Sequence, residues 1–206
     1  GTRVHLKAEH LHDTGAFIPY GIAVAQVAST QIAGPYRIPE LGGSSAAVWT
    51  NTMGRGAYRG PWMFGDTERE MMLDHVARVL ALDPVELRRK NMITAAELPY
   101  VTPSGETYQE ITPVETFEQA LAMLDYEAFR AEQAAGRATG RLLGLGISCF
   151  IEPTSVGAAT LESEGCAVRV EPSGKVTAFV GTSSHGQSIE TTMAQLVADV
   201  VGVGYD

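Results

Sequence analysis

The sequence predicts an α+β fold in two parts. Segments that alternate apolar and polar side chains, as strands do, lie between segments with apolar residues at helical spacing. The glycine-flanked stretch at residues 136–140 is the best linker candidate, and the composition of the chain changes after it. We therefore assign residues 1–138 to a first subdomain and residues 139–206 to the start of a second.

The first part opens with a strand, a helix and a second strand. Alternation over residues 3–12 predicts a strand that ends in a turn at residues 13–15. Small apolar side chains over residues 21–32 predict a buried helix. A glycine and serine turn at residues 42–45 then leads into a strand at residues 46–52.

Helices dominate the remainder of the first part. Asp66 or Thr67 is predicted to cap the first of them. Its core-facing apolar side is predicted to consist of Met71, Met72, His75, Val79 and Leu82. A cap, proline and glutamate signature then occurs twice, as Asp83-Pro84-Val85-Glu86 and Thr112-Pro113-Val114-Glu115. The second signature begins a helix through about residue 124, and a further helix follows over residues 125–135.

The second part is predicted to contain strands and one helix. Residues 142–151 form an apolar strand, and residues 164–170 and 175–180 form a hairpin. A polar loop at residues 181–188 leads into a helix over residues 189–201.

Composition excludes several classes of function. The net charge of −9 argues against a nucleic-acid surface, which needs clustered lysines and arginines. No apolar run reaches the roughly 18 residues of a membrane span. The two cysteines, Cys149 and Cys166, form no CxxC pair, and reduced thiols in a cytoplasmic protein are favoured over a disulfide. The histidines and cysteines show no metal-ligand spacing, so no metal site made of protein ligands is expected.

Two loops are candidates for chemistry. In residues 56–60 the glycines permit close backbone approach, and Arg59 offers a planar fork of donors for anionic oxygens. Residues 181–188 combine hydroxyls, an amide and an imidazole ahead of a helix N-terminus, which suits a phosphate or a polar heterocycle. On pattern alone, a solvated surface turn and an ordinary N-cap at Ser188 remain open as alternatives.

A series of short motifs resembles the large subunit of the molybdenum hydroxylases, the family of xanthine dehydrogenase, aldehyde oxidoreductase and aerobic carbon monoxide dehydrogenase. Order and spacing hold over essentially the whole chain. The motifs are Tyr36-Arg37-Ile38-Pro39, Thr50-Asn51-Thr52, Gly56-Ala57-Tyr58-Arg59-Gly60, Leu82-Asp83-Pro84-Val85-Glu86-Leu87, Pro103-Ser104-Gly105-Glu106-Thr107-Tyr108, Gly144-Leu145-Gly146-Ile147 and His185-Gly186-Gln187-Ser188.

The resemblance implies two molybdopterin-binding subdomains. It also implies a molybdopterin cofactor, often the cytosine dinucleotide form, that hydroxylates an electron-poor carbon, with electrons leaving through Fe-S and FAD groups on partners. By position in the motifs, Ala57, Tyr58 and Arg59 fall beside the molybdenum, with Arg59 in the catalytic role. Cofactor contacts fall on His185, Gly186, Gln187 and Ser188. Cys149 and Phe150 fall near a strand end that lines the substrate pocket.

Three positions depart from the family pattern. Ser188 replaces the second glycine of a Gly-Gln-Gly loop. Gly60 stands where carbon monoxide dehydrogenases carry a cysteine, which argues against CO oxidation. Val27 stands where purine-oxidising members carry an arginine.

The resemblance also predicts that this chain is an internal fragment that is inactive alone. The chain begins with Gly1 in what resembles the middle of a strand. The family's general-base glutamate is expected beyond Asp206, so no glutamate here is assigned that role. The alternative is a non-catalytic binding module with the same fold and no bound molybdopterin.

Overall fold

The computed structural model describes residues 5–17, 23–54, 63–151, 165–184 and 186–205. The chain divides into two compact units, Gly1–Ile151 and Glu152–Asp206. Both units contain helices and strands, which confirms the α+β prediction. The subdomain boundary at residue 138 remains a prediction. No helix in the described ranges is long and apolar enough to cross a membrane.

The first unit opens with two parallel strands, β1 (His5–Gly15) and β2 (Glu40–Trp49). Their register runs from His5 opposite Glu40 to Gly15 opposite Trp49, and helix α1 (Ala23–Thr30) packs against both. The parallel direction follows from the connection, because a helical crossover returns the chain to the same end of the sheet.

The predicted turns at residues 13–15 and 42–45 are wrong, because both stretches lie within these strands. The reason is clearest at Gly43, which lies opposite Ala8. A Cβ atom on Gly43 would lie 1.8 Å from the Ala8 carbonyl oxygen. The glycine therefore permits close approach of two strands, a role that the turn interpretation missed.

Four α-helices, a 3-10 turn and a short hairpin complete the described part of the first unit. They are α2 (Met63–Val79), α3 (Pro84–Asn91), a 3-10 turn (Ala95–Glu97), β3 (Tyr100–Val101), β4 (Thr107–Tyr108), α4 (Pro113–Leu124) and α5 (Tyr126–Ala138). The helix starts at Pro84 and Pro113 agree with the predicted signatures. Asp83 caps α3 by accepting hydrogen bonds from the amides of Val85 and Glu86.

One hydrophobic cluster holds the first unit together. Its buried members are Leu6, Ile32, Ala33, Tyr36, Ile38, Val85, Met92, Phe117, Leu121 and Tyr126. Tyr36 and Met92 form an isolated antiparallel bridge, and the Ile93 amide donates to the Pro35 carbonyl at 2.9 Å. These bonds tie the segment after α1 to the end of α3 at the centre of the core.

Helix α2 presents to the core a side different from the predicted one. Met71 and Val79 are each 68% exposed, and Met72, His75 and Leu82 are also exposed. The buried positions are Gly65, Asp66, Arg69, Glu70 and Ala77. Because the helix begins at Met63, Asp66 and Thr67 both lie within it and neither is its cap. Hydropathy misassigned this side because buried charges that pair with one another can replace apolar contacts.

Residues 142–151 were predicted as a strand, and this is wrong for the described part of the chain, where they pair with no other strand. Ile147 and Cys149 nevertheless pack against the hydrophobic cluster. Burial alternates from residue 146 to residue 150, with the odd-numbered residues inward. The apolar pattern therefore correctly indicated that this segment is partly buried. Its backbone carbonyls accept hydrogen bonds from side chains and not from a neighbouring strand.

The second unit contains a hairpin and a helix, as predicted. Strands β5 (Cys166–Val170) and β6 (Val176–Val180) pair antiparallel, with Cys166 opposite Val180. The Glu171 amide donates to the Lys175 carbonyl at 2.9 Å and closes the turn. Helix α6 (Ile189–Val201) follows.

Candidate functional site

The polar loop of the second unit precedes helix α6. Gly186 has φ of +100°, a conformation that glycine adopts at little cost. Its amide donates to the Ser184 hydroxyl at 3.4 Å. A Cβ atom on Gly186 would meet no atom of the described residues within 4 Å, so the space beside this backbone is open to a ligand.

Ser188 occupies the N-cap position of α6 in the left-handed region, at φ of +62°. Within the described residues its side chain makes no capping hydrogen bond. Its carbonyl accepts from the Thr192 amide at 3.0 Å and from the Thr192 hydroxyl at 2.9 Å. Ser188 therefore occupies the N-cap position, as the alternative interpretation predicted. Its hydroxyl, however, makes no capping hydrogen bond to the described residues.

The electrostatics of this loop favour a polar ligand. Residues 182–184 are exposed and carry three hydroxyls a few residues ahead of α6 in the sequence. The first amides of a helix carry partial positive charge and point away from the helix body. Glu190 in the first turn offsets part of that charge, so a neutral polar ligand suits this helix start better than an anion does. The described residues of the loop thus supply donors, hydroxyls and room for close backbone approach.

Several predicted site residues lie outside the described residues. They are Ala57, Tyr58, Arg59 and His185. Their roles stay predictions. Helix α2 begins at Met63, shortly after Arg59 in the sequence.

The predicted substrate-pocket residues, Cys149 and Phe150, lie in the first unit, whereas Gly186, Gln187 and Ser188 lie in the second. Cys149 is partly buried, and burial raises the pKa of its thiol. Phe150 is 48% exposed. Both line an open cleft of about 380 Å³ whose opposite wall is formed by α4, including Phe117. The cleft wall is mainly apolar, which suits a ring or an alkyl chain.

A buried ionic network lies next to this segment, and the sequence interpretation missed it. Arg69 is 2% exposed and donates to Asp66 at 2.8 Å and to Glu70 at 3.0 Å. It also donates to the Ile32 carbonyl at 3.1 Å and to the Cys149 carbonyl at 2.5 Å. The guanidinium group thus joins α2, the chain just after α1 and the backbone at Cys149.

Arg88 on α3 completes the network. It is fully buried and donates through Nε to Glu70 at 2.9 Å and through Nη1 to Asp74 at 2.9 Å. Its Nη2 donates to the Ile147 carbonyl at 3.3 Å. Arg88 lies in the cationic last turn of α3, and its role is structural through burial, not through a solvated helix end.

Tyr36 connects this network to the hydrophobic core. Its hydroxyl donates to Glu70 at 3.2 Å, and its ring lies 5.6 Å from the Arg69 guanidinium carbon. Burial, with the nearby Glu70 carboxylate, raises the pKa of Tyr36 above its usual range. A sequence signal for this network did exist, since Asp66, Arg69 and Glu70 recur at the spacing that places residues on one side of a helix.

His10 on β1 forms a second polar cluster. Its Nδ1 lies 2.8 Å from the Ser29 hydroxyl, and its Nε2 lies 2.8 Å from a Glu68 carboxylate oxygen. This arrangement ties β1 to α1 and α2. Among the described residues, no group of three or more histidine, cysteine or acidic side chains is arranged to hold a metal ion.

Comparison with known families gives two matches along the chain. One model of a molybdopterin cofactor-binding domain matches residues 1–92, and a second matches residues 119–206. The first match includes the Arg59 loop, and the second includes the Gln187 loop.

Individual relatives extend this similarity. The chain is 33% identical to the nicotine 6-hydroxylase large subunit of Paenarthrobacter nicotinovorans, over 100% of this chain and 26% of that protein. It is also 33% identical to the carbon monoxide dehydrogenase large chain of Hydrogenophaga pseudoflava, over 98% of this chain and 27% of that protein. The chain therefore spans about a quarter of the length of these curated relatives.

A solved structure gives the same result for the fold. The crystal structure of quinoline 2-oxidoreductase from Pseudomonas putida 86 superposes with a TM-score of 0.85 at 38% identity. The superposition covers 97% of this chain and 27% of that one.

Proposed function

Because the chain belongs to the family of molybdopterin cofactor-binding domains of molybdenum hydroxylases, we propose that it forms part of the cofactor site of a parent hydroxylase. That enzyme oxidises a carbon of an aromatic N-heterocycle or an aldehyde with oxygen from water. The observation that carries the proposal is the match of both family models, in order, along one chain.

The described residues of the second loop fit such a cofactor. The open space beside Gly186 permits close approach of its backbone, and the amides at the start of α6 and the exposed hydroxyls suit the polar atoms of a pterin. In this proposal His185, Gly186, Gln187 and Ser188 hold the pterin. When bound, the cofactor supplies a molybdenum centre that accepts the two electrons released by the substrate carbon.

The first loop has a different task in the proposal. Ala57, Tyr58 and Arg59 lie beside the molybdenum, and the Arg59 fork binds anionic oxygen near the reacting carbon. Cys149 and Phe150 line the substrate pocket, where an apolar wall orients the ring. General-base catalysis is left to a glutamate elsewhere in the parent subunit.

An aromatic N-heterocycle is the substrate class that we favour. Two of the relatives are named for reactions of nicotine and quinoline, both of which contain such a ring. Gly60 stands where the CO-oxidising branch carries a cysteine, which argues against CO as the substrate. Val27 stands where the purine-oxidising branch carries an arginine, which argues against a purine.

The parent enzyme is proposed to work as a complex. Relatives are named as a large subunit, a large chain and the gamma subunit of a dehydrogenase complex. We therefore propose an Fe-S subunit and an FAD subunit as electron-accepting partners, the cytosine dinucleotide form of the cofactor, and a cytoplasmic location. The 206-residue chain alone is not expected to turn over.

The test uses the full-length subunit co-expressed with its partner subunits. Molybdenum is measured by mass spectrometry and pterin by fluorescence after oxidation. Purified complex is then supplied with pyridines, quinolines, aldehydes, xanthine and CO in ¹⁸O-labelled water. We expect about one molybdenum per large subunit, with ¹⁸O appearing in a hydroxylated heterocycle. A complex without molybdenum and pterin would exclude the proposal.

The second candidate function is a binding module that has lost the cofactor. It is favoured by one observation: Ser188 adopts a left-handed conformation, at φ of +62°, where the family pattern has glycine. A side chain there narrows the approach to the helix start. Molybdenum content separates the two candidates, because only the hydroxylase retains the metal.

A further inference from the structure

Two buried arginines hold the backbone of the cleft segment, defined here as residues 147–150. Arg69 donates to the Cys149 carbonyl at 2.5 Å, and Arg88 donates to the Ile147 carbonyl at 3.3 Å. Backbone carbonyls in a protein interior require hydrogen-bond donors. No strand among the described residues pairs with this segment, so guanidinium groups take the place of strand amides.

The two arginines are themselves fixed in position. Arg69 is bound by Asp66, Glu70 and the Ile32 carbonyl. Arg88 is bound by Glu70 and Asp74. A guanidinium group held by several acceptors at once has one orientation, because its donors form a planar fork. The location of the cleft segment is therefore set by α2, which carries Asp66, Glu70 and Asp74.

The same helix is connected to the other proposed half of the site. Helix α2 begins at Met63, four residues after Arg59 in the sequence. The cleft segment contains Phe150, which is proposed to line the substrate pocket. A shift between α2 and the cleft segment would thus move Phe150 relative to the start of α2.

We infer that Arg69 and Arg88 are positioning residues for hydroxylation of the heterocycle, which they serve by fixing Phe150 and its neighbours against the start of α2. This inference rests on the proposed function, because Arg59 and Phe150 have site roles only there. Neither arginine contacts the substrate. The two arginines, called the clamp below, hold the Cys149 and Ile147 carbonyls. Through this backbone they affect how the substrate ring fits.

Replacement by lysine separates charge from geometry. Arg88→Lys keeps a cation beside Glu70, but one ammonium group cannot also span to Asp74 and to the Ile147 carbonyl. Arg69→Lys likewise keeps a cation beside Asp66 and Glu70. Arg89→Lys is the matched control, because Arg89 is the next residue, is partly exposed and pairs with Glu118 at the surface.

Two measurements are made on the full-length subunit in its complex with its partners. The first is steady-state kinetics with the heterocycle, reported as KM and as kcat per bound molybdenum. The second is the rate at which iodoacetamide alkylates Cys149, measured on its peptide by mass spectrometry. Peptide detection keeps the exposed Cys166 from contributing to the signal.

We expect KM to rise about tenfold or more in Arg88→Lys and Arg69→Lys, since small misplacements of substrate-orienting groups have large kinetic effects. Alkylation of Cys149 should become about tenfold faster, because a hydrogen bond to a charged group is lost. Arg89→Lys should change neither quantity. A folded lysine variant with only a lower melting temperature, and with unchanged KM and Cys149 alkylation, would overturn the inference.

Two outcomes need separate treatment. If neither lysine variant folds, Asp74→Asn is used, because Asp74 is 38% exposed in its side chain and touches the clamp through Arg88. The same changes, about two- to threefold, are then expected, and their absence counts against the inference. If the complex contains no molybdenum, the proposed function fails, whereas the Cys149 alkylation rates still show whether the arginines hold the segment.

Discussion

At the scale of single residues, Gly34 makes room for a buried charge. Its φ of +54° lies in the left-handed region, and a Cβ atom on it would lie 2.3 Å from the guanidinium carbon of Arg69. The missing side chain thus permits Arg69 to lie flat against the chain at the end of α1, where it reaches the Ile32 carbonyl.

Gly34→Ala is expected to lower the free energy of unfolding by about 2–5 kcal/mol. A left-handed alanine costs roughly 1–2 kcal/mol, and displacing a well-packed buried group costs about 1–3 kcal/mol more. Urea unfolding measures the change. Gly105→Ala is the control, since Gly105 has φ of +90° but no described atom within 4 Å of its Cβ position. Equal losses at both positions would mean that Arg69 does not pack on Gly34.

Ser188→Gly tests the left-handed residue at the start of α6. Glycine adopts φ of +62° without the steric penalty of a Cβ atom and widens the approach to the first helical amides. We expect molybdenum and pterin content per large subunit to rise in the full-length complex. Reduced occupancy in this variant would instead identify the Ser188 hydroxyl as a cofactor contact.

Arg59→Lys should not behave as a conservative change. Lysine retains the charge but loses the bidentate fork, so the binding of anionic oxygen that we propose for Arg59 is weakened. We expect kcat/KM per bound molybdenum to fall by at least about tenfold, which corresponds to roughly 1.4 kcal/mol of transition-state binding. Arg55→Lys, from the same stretch, is the control. Unchanged turnover with every substrate would remove this role from Arg59.

At the scale of secondary-structure elements, two helices with the same start signature are stabilised differently. Asp83 accepts hydrogen bonds from the Val85 and Glu86 amides and also from the Tyr126 hydroxyl. Thr112 makes no capping hydrogen bond with its side chain to any described residue. The sequence signature therefore locates both helices but does not report the strength of their caps.

Asp83→Ala is accordingly expected to be much more harmful than Thr112→Ala. Loss of the Asp83 cap costs about 1–2 kcal/mol, and the Tyr126 hydroxyl loses its partner as well. Thr112→Ala should change the free energy of unfolding by only a few tenths of a kcal/mol, roughly within the range of neutral surface changes. Thermal unfolding of the two variants provides the comparison, and similar losses would contradict the difference in capping.

The elements also show what the sequence could predict. Helix starts at Pro84 and Pro113 and the β5–β6 hairpin were correctly located, because caps, prolines and turn residues act locally. The buried side of α2 was not, because hydropathy assumes that charges face water. Arg69 and Glu70 neutralise each other inside, which depends on partners such as Arg88 that are distant in the sequence.

The sequence also failed to predict what the backbone of residues 142–151 pairs with. The pattern at residues 142–151 correctly indicated burial of Ile147 and Cys149, but it could not reveal that arginine side chains bind their carbonyls. For the candidate site, the motifs name the loops and residues, and the roles of those residues stay predictions. They could not predict the left-handed conformation of Ser188 or the fixing of the cleft segment, because both depend on the folded backbone.

At the scale of the whole molecule, burial is unevenly distributed between the two compact units. The hydrophobic cluster and the ionic network belong to Gly1–Ile151. In the second unit, Ala198 is the single buried residue among those that the structure describes. A unit of this size that buries so little apolar surface has little free energy with which to offset chain entropy.

Residues 1–151 and 152–206 are therefore expected to behave differently when produced separately. The first should unfold cooperatively with heat, as followed by near-ultraviolet circular dichroism and calorimetry. The second should show no cooperative transition, because a small unit whose described residues bury so little apolar surface does not hold one packed state. A sharp transition in residues 152–206 alone would contradict this expectation.

The outward side of α2 exposes Met71, and two more strongly exposed methionines lie before α2 and on α4, so methionine oxidation can report which faces are covered. Met71 is 68% exposed, Met53 and Met123 are 88% and 83% exposed, and Met92 in the core is 1% exposed. Dilute peroxide converts accessible methionines to sulfoxides, so oxidation can be followed at each position. Comparing the free chain with the assembled complex, with Met92 as an internal reference, would map which faces become covered on assembly.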